Sequence, residues 1–301
     1  QRSDQSHHQP IKGGNKMLVT LTEILKETRA KQYAVGAFNA TDYLLAEAVI
    51  KAAEEEGVPV IMMVPTPAFK VKQTPYLMQF ILDRARKASV PVCMHLDHGK
   101  DFDIVMQAIH YGCSSVMFDG SLLSMEENMK QTREIVKIAH ACGVSVEAEI
   151  GHVPGSKNTP ATGAPDESMY TKPEDAVTFV RETGVDALAV SIGTVHGKFV
   201  GTPKLDFDRL KTIRDLVDVP LVLHGGSGLS DEDFRKCIEL GISKINFFTG
   251  LAMAVSKAAY EAMKESEGNI MWPEISPIAE QAGIDATKEQ FRIFNTQPLN
   301  K

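Results

Sequence analysis

Three stretches, 91–99 (PVCMHLDHG), 186–197 (DALAVSIGTVHG) and 220–228 (PLVLHGGSG), together decide the fold. Each is an apolar run of strand length that closes on a histidine followed by glycine: His98-Gly99, His196-Gly197 and His224-Gly225. No other histidine among the nine has that context. Near-continuous apolar runs are the mark of parallel strands covered on both faces. Imidazole is the commonest metal-binding side chain, and three such ligands with one open position describe a catalytic zinc site. Glycine after each ligand lets backbone or substrate approach closely. Three strand ends that converge on one ion imply a metal enzyme built on a parallel barrel.

Outward from these runs, the chain alternates short apolar segments with longer amphipathic ones. Strands are expected over 33–39, 59–64, 91–96, 114–119, 144–150, 186–192, 220–224 and 243–248. The clearest helix is expected over 42–56, where Leu44, Leu45, Ala48, Val49, Ala52 and Ala53 recur at helical spacing. Asp42 can cap its start and Gly57 its end. Eight such units predict an α/β fold, a (β/α)8 TIM barrel, spanning 17–301 as a single domain. A doubly wound open sheet fits less well, because no strand leads into a GxGxxG turn. Residues 1–16 (QRSDQSHHQPIKGGNK) are polar and precede Met17. They are expected to be a tag or disordered leader, which discounts His7 and His8 as ligands. The longest irregular stretch, 151–170, follows the fifth strand and is expected to act as a lid over the catalytic face.

Composition narrows the partners. A net charge of −7 with dispersed lysines and arginines offers no footprint for nucleic acid or for anionic lipid. No apolar run approaches the roughly 20 residues of a membrane span. The four cysteines, Cys93, Cys113, Cys142 and Cys237, lack CxxC pairing or regular spacing, as expected of free thiols in a reducing cytoplasm.

In a barrel of this kind the chemistry lies at the C-terminal strand ends. Those positions carry Asn39, Asp97, His98, Asp119, Glu149, His196, His224 and Asn246; only the second strand, ending at Pro65, lacks a polar group there. Any one of these residues could be turn chemistry; the set as a whole reads as a site. Gly225, Gly226, Ser227 and Gly228 follow the seventh strand, and Asn246 to Gly250 follow the eighth. Loops at these two places are the usual phosphate cradle of barrels. His95 shares a strand face with Asp97 but lies deeper and is expected in the core. His110 and His140 fall on helices, and His152 stands in the expected lid.

The ordered segments YAVGAFN, HLDHG, SVMFDGS, VEAEIG, IGTVHG, LVLHGGSG and KIN–T resemble class II, zinc-dependent fructose-bisphosphate and tagatose-bisphosphate aldolases, from Met17 to about residue 265. The resemblance implies a Zn2+ ion on His98, His196 and His224, with Asp119 and Glu149 forming an alternative or second metal position. Glu147 would lie upstream of Glu149 on the same strand face. It implies that Asp97 is the acid/base, and that Gly197, Gly225, Gly226, Ser227, Asn246 and Thr249 hold a ketose phosphate, with Asn39 beside them. A monovalent cation, Na+ or K+, is implied near Val195, Gly197, Gly225 and Ser227. So is a homodimer or homotetramer. The activity implied is reversible cleavage of a ketose phosphate into dihydroxyacetone phosphate and an aldehyde, through an enediolate stabilised by the ion as a Lewis acid. An isomerase or epimerase working through the same enediolate is an alternative. A non-catalytic sugar-phosphate-binding subunit of an aldolase complex is another.

Four departures from the family pattern concern the substrate. The acidic segment usual after strand five is replaced by PGSKNT, with no carboxylate before Asp166 and Glu167. The serine often found after strand two is Pro65. The lysine of HGxYK is Val200, with Lys198 two places early. No arginine matches in IMWPEISP. Because the serine and arginine would act at the aldehyde end, a ketose 1-phosphate with a non-phosphorylated or otherwise anionic far end is expected.

Overall fold

A computed structural model describes residues 17–154, 161–162, 166–197, 199–200, 204–226 and 228–299. The leader, most of the PGSKNT segment, Lys198 and Ser227 lie outside the described residues. The barrel strands are β1 (Val35–Asn39), β2 (Val60–Pro65), β3 (Val92–Gly99), β4 (Ser115–Phe118), β5 (Ser145–Ile150), β6 (Ala187–Val190), β7 (Leu221–Leu223) and β8 (Ile242–Phe247). Each pairs in parallel with the next, and β8 returns to β1 to close the sheet. All eight expected strands are present, and the architecture is a (β/α)8 TIM barrel.

The helices are α1 (Leu21–Leu25), α2 (Thr28–Lys31), α3 (Tyr43–Glu56), α4 (Thr74–Lys87), α5 (Phe102–His110), α6 (Met125–Ala141), α7 (Pro173–Thr183), α8 (Phe207–Leu216), α9 (Asp231–Glu239), α10 (Thr249–Glu265) and α11 (Trp272–Ile293). The expected helix over 42–56 forms as α3. The Asp42 side chain accepts the Leu45 N–H at its start, and Gly57 ends it in the left-handed conformation at φ 68°.

Side-chain alternation along the strands divides the core in two. Val60, Met62, Val64, Met94, Leu96, Val116, Phe118, Val146 and Leu188 face outward and pack with the buried faces of the helices. Val35, Ala37, Ile61, Met63, Cys93, Ala187, Ala189 and Val222 form a second cluster with Leu21, Ile24 and Leu25 of α1. That helix is fixed by a capping box at Thr20 and Glu23, and its leucines and isoleucine plug the apolar end of the barrel. On β3, β4, β5 and β8 the same inward register continues into polar residues: His95, Asp97, Ser115, Glu147, Glu149, Lys244 and Asn246 are not apolar. The barrel interior is therefore oily at one end and ionic at the other.

Two short parts of 151–170 are regular among the described residues. Ala161–Thr162 pairs in parallel with Phe199–Val200, which follows β6, and Glu167–Met169 forms one 3-10 turn under an Asp166 cap. Pairing satisfies backbone groups that an isolated loop would leave to water. Among the described residues no helix is long and apolar enough to cross a membrane.

Candidate active site

β3 positions two adjacent residues on one cavity, which a regular strand cannot do. Its register against β4 shifts between Leu96 and Gly99, so that three residues on β3 span two on β4. This is a one-residue bulge, and bulges re-aim side chains. His98 takes φ 50° within it, a strained conformation for a residue with a side chain. Asp97 keeps the inward direction set by Cys93 and His95, and the bulge brings His98 round beside it, with Nε2 3.8 Å from Asp97 Oδ1. Gly99 is required next: a Cβ there would stand 2.5 Å from the Met117 carbonyl oxygen.

The three histidines named from their glycines converge. Their ring centroids are 4.7 Å (His98–His224), 5.1 Å (His98–His196) and 6.1 Å (His196–His224) apart. One ring nitrogen from each lies within 4.8 Å of the others, and one atom each from His98, Asp119 and Glu149 does the same. Every histidine is oriented by a second contact, as metal-ligating imidazoles are. His98 Nδ1 is 2.8 Å from Asp119 Oδ2. His196 Nδ1 donates to the Val153 carbonyl at 3.1 Å, so the start of the loop after β5 braces an imidazole in the loop after β6. His224 lies between two carboxylates, with Nδ1 3.1 Å from Glu149 and Nε2 2.9 Å from Glu147.

These neighbours set the charges. Burial alone would lower His224, but hydrogen bonds to Glu147 and Glu149 outweigh it and raise its pKa to about 9. Burial and the positive potential of His98 and His224 lower His196 to about 4. Burial would raise the Asp97 carboxyl, yet His98, the Asn39 amide, His224 and Lys244 together hold it at about 2. Burial likewise opposes ionisation of Asp119, which His98, Lys100 and Ser121 keep well below the usual carboxylate range. Carboxylates around the imidazoles favour positive charge at this point, which a metal cation would supply. The donor set of three imidazoles and two carboxylates suits a divalent transition metal.

Asp97 is held from both sides by amides. Asn39 Nδ2 donates to Oδ2 at 2.8 Å and Asn246 Nδ2 to Oδ1 at 3.2 Å. Asn39, Asp97, His98, Asp119, Glu149, His196, Gly197, Gly225, Gly226, Asn246 and Thr249 all line one cavity of about 410 Å3. Of the residues expected there, only Ser227 lies outside the described set. Gly225 has φ 69°, and a Cβ on it would meet the Val195 carbonyl oxygen at 2.5 Å. Thr249, in the same lining, is the first residue of α10, and the first N–H groups of a helix have no partner within it.

Sequence reasoning did not single out Thr66, Pro67, Lys100 or Ser121, which also line the cavity, and it left His152 open. The Thr66 hydroxyl donates to the His98 carbonyl at 2.5 Å, and Lys100 pairs with Asp119. A lysine after HLDHG is the one signal that could have been read. His95 is fully buried as expected, yet it is not apolar packing: Nδ1 is 2.8 Å from Ser115 Oγ.

Comparison with known proteins matches this arrangement to the class-II fructose-bisphosphate aldolase family over residues 19–298. The chain belongs to that family. It is 39% identical over 282 residues to the 6-phospho-5-dehydro-2-deoxy-D-gluconate aldolase of Halalkalibacterium halodurans, covering 93% of this chain and 96% of that protein. It is 37% identical to a fructose-bisphosphate aldolase of Thermus caldophilus, covering 93% and 99%. The crystal structure of the YdjI aldolase from Escherichia coli K12 superposes with a TM-score of 0.82 at 35% identity, covering 93% of this chain and 98% of that one. This class-II aldolase family member is thus a lyase of a generally metal-dependent family, with a sugar phosphate as the implied type of substrate.

Proposed function

We propose that this aldolase cleaves a ketose 1-phosphate reversibly into dihydroxyacetone phosphate and an aldehyde that differs from glyceraldehyde 3-phosphate, with zinc on His98, His196 and His224. The observation that carries the reading is the Asp97 carboxylate, fixed by two amides beside His98 in a cavity that also holds the other two histidines.

The bound ion would supply Lewis-acid polarisation of the ketose carbonyl and hydroxyl. Asp119 and Glu149 would offer it a second position. The protein's own groups do the rest. Gly197, Gly225, Gly226, Ser227, Asn246 and Thr249 bind the phosphate end, chiefly through backbone N–H groups that need no lysine. Asp97 takes the proton from the hydroxyl that becomes the aldehyde carbonyl, and returns it in the direction of synthesis. Its low pKa keeps it ionised, the form that an acceptor needs. The aldehyde end is bounded by Pro65, Thr66 and Pro67, and Lys100 is the only lysine or arginine among the described lining residues. That wall is poor in groups for a second phosphate. Relatives at similar identity carry the names of different aldolases, so family membership alone does not choose the far end.

A sodium or potassium ion beside Val195, Gly197, Gly225 and Ser227, a cytoplasmic setting and assembly as a homodimer or homotetramer complete the reading. The test is turnover of zinc-loaded protein on fructose 1,6-bisphosphate, tagatose 1,6-bisphosphate and a panel of ketose 1-phosphates, with dihydroxyacetone phosphate as the readout. Preference for a ketose 1-phosphate is expected, and Asp97→Ala should lower turnover by about 10²–10⁴-fold while metal stays bound. A clear preference for a bisphosphate would overturn the substrate assignment. Undiminished turnover in Asp97→Ala would overturn the mechanism.

A further inference from the structure

Beneath the cavity a buried lysine joins the two halves of the site. Lys244 is fully buried on β8 and does not line the cavity. Its Nζ stands 2.9 Å from Glu147 Oε2 on β5, as an ion pair, and donates to Asn246 Oδ1 at 2.7 Å. Glu147 Oε1 in turn meets His224 Nε2 at 2.9 Å, and Asn246 Nδ2 meets Asp97 Oδ1 at 3.2 Å. One unbroken chain of contacts therefore runs from His224 through Glu147, Lys244 and Asn246 to Asp97. His95 Nε2, 3.6 Å from Glu147 Oε2, closes its lower side.

The polarity of that chain has only one consistent solution. An ammonium is donor-only and an ionised carboxylate acceptor-only. Lys244 therefore requires the oxygen of the Asn246 amide, which leaves the NH2 for Asp97. The reversed amide would set a donor against Lys244 and an acceptor against Asp97. On the other arm the ammonium is the charge that balances Glu147, which is fully buried and faces His224.

We propose that Lys244 is a positioning residue for the aldol reaction: it fixes the Asn246 amide as a donor to Asp97. This rests on the reading of Asp97 as the acid/base. The merely structural alternative is that Lys244 only neutralises Glu147.

Charge-balanced variants separate the two roles. Lys244→Met strands Glu147 without its counter-charge, whereas Lys244→Met combined with Glu147→Gln removes both charges together. Glu147→Gln alone is the reference for kcat, since it leaves Lys244 to hold Asn246, although it strands the ammonium without its counter-charge. The measurements are melting temperature, metal content by elemental analysis, and kcat and KM for ketose cleavage. The double variant buries no unpaired charge, so it should melt at or above the Glu147→Gln variant, whose Lys244 ammonium has lost its partner, and it should keep its metal. Its kcat should fall about 10- to 100-fold below that reference, with KM within about threefold. Recovery of kcat together with the melting temperature would overturn the positioning role. So would failure of the double variant to fold, because Lys244 would then serve stability.

A readout independent of turnover covers the case in which the wild-type protein cleaves none of the tested ketoses and the functional reading fails. A crystal structure of the double variant should show the Asn246 amide displaced from Asp97. An Asn246 amide still donating to Asp97 without Lys244 would overturn the inference by itself.

Discussion

Asp97 shows how much of a residue's chemistry is decided by its neighbours. The same carboxyl on an exposed turn would be an ordinary cap; here His98, the Asn39 amide, His224 and Lys244 keep it ionised in a buried setting. Burial acts oppositely on the thiols. It raises Cys93 and Cys237 to about 12, and Cys113 is raised as well, while Cys142 is exposed. A folded state that holds its protons more tightly than the unfolded chain keeps that stabilisation below the unfolded pKa and loses it as pH rises through the folded one. Stability should therefore decline between about pH 9 and pH 12, with Tyr33, raised by burial to about 12, adding to the loss. Thermal melts against pH measure this; a flat profile to pH 12 would contradict it. In the native protein at neutral pH, Ellman's reagent should titrate Cys142 alone, and all the cysteines after denaturation. At this scale the sequence was legible where a residue carried a local mark. The three His-Gly pairs and Asp97 could be read because strand and turn chemistry announce them. The link of Lys244 to Glu147 could not, because it joins residues on opposite parts of the barrel.

At the scale of elements, strand periodicity told which runs form the barrel but not how β3 ends. A period of two would turn His98 away from Asp97, and only the bulge between Leu96 and Gly99 puts both on the cavity. The turn after β7 has a similarly concealed demand. Gly225 combines φ 69° with the Val195 carbonyl oxygen 2.5 Å from where a Cβ would stand, whereas Gly57, at φ 68° after α3, has nothing within 4 Å. Alanine at either position should cost about 1 kcal/mol or more in backbone strain. At Gly225 the clash must also shift backbone next to His224. Gly225→Ala should therefore weaken metal binding, read by competition with a chelator, while Gly57→Ala lowers stability alone. Equal metal affinity in the two variants would show that the loop absorbs the clash without moving His224.

At the scale of the whole molecule, the alternation of eight apolar runs with amphipathic helices made the closed barrel legible, because each unit repeats the same demand for burial on both strand faces. The outer surface carries no such repeat, and there the structure adds an observation. Of the 13 large hydrophobic residues left exposed among the described residues, six fall between Met253 and Ile278: Met253, Tyr260, Met263, Met271, Trp272 and Ile278. Leu251 is the only residue of α10 that is buried within one chain. The proposed homo-oligomer offers a cover for this face, since charges alternate along α10 at Lys257, Glu261, Lys264 and Glu265, and a two-fold antiparallel copy can set opposite signs against each other. Light scattering should then give a dimer or tetramer, and Trp272→Asp should shift it toward the monomer. Trp272 is the only tryptophan, so its emission should move to the red as the wild-type protein is diluted through its dissociation range. A wild-type chain that scatters as a monomer at high concentration, with emission independent of dilution, would remove both the oligomer and this face as its interface.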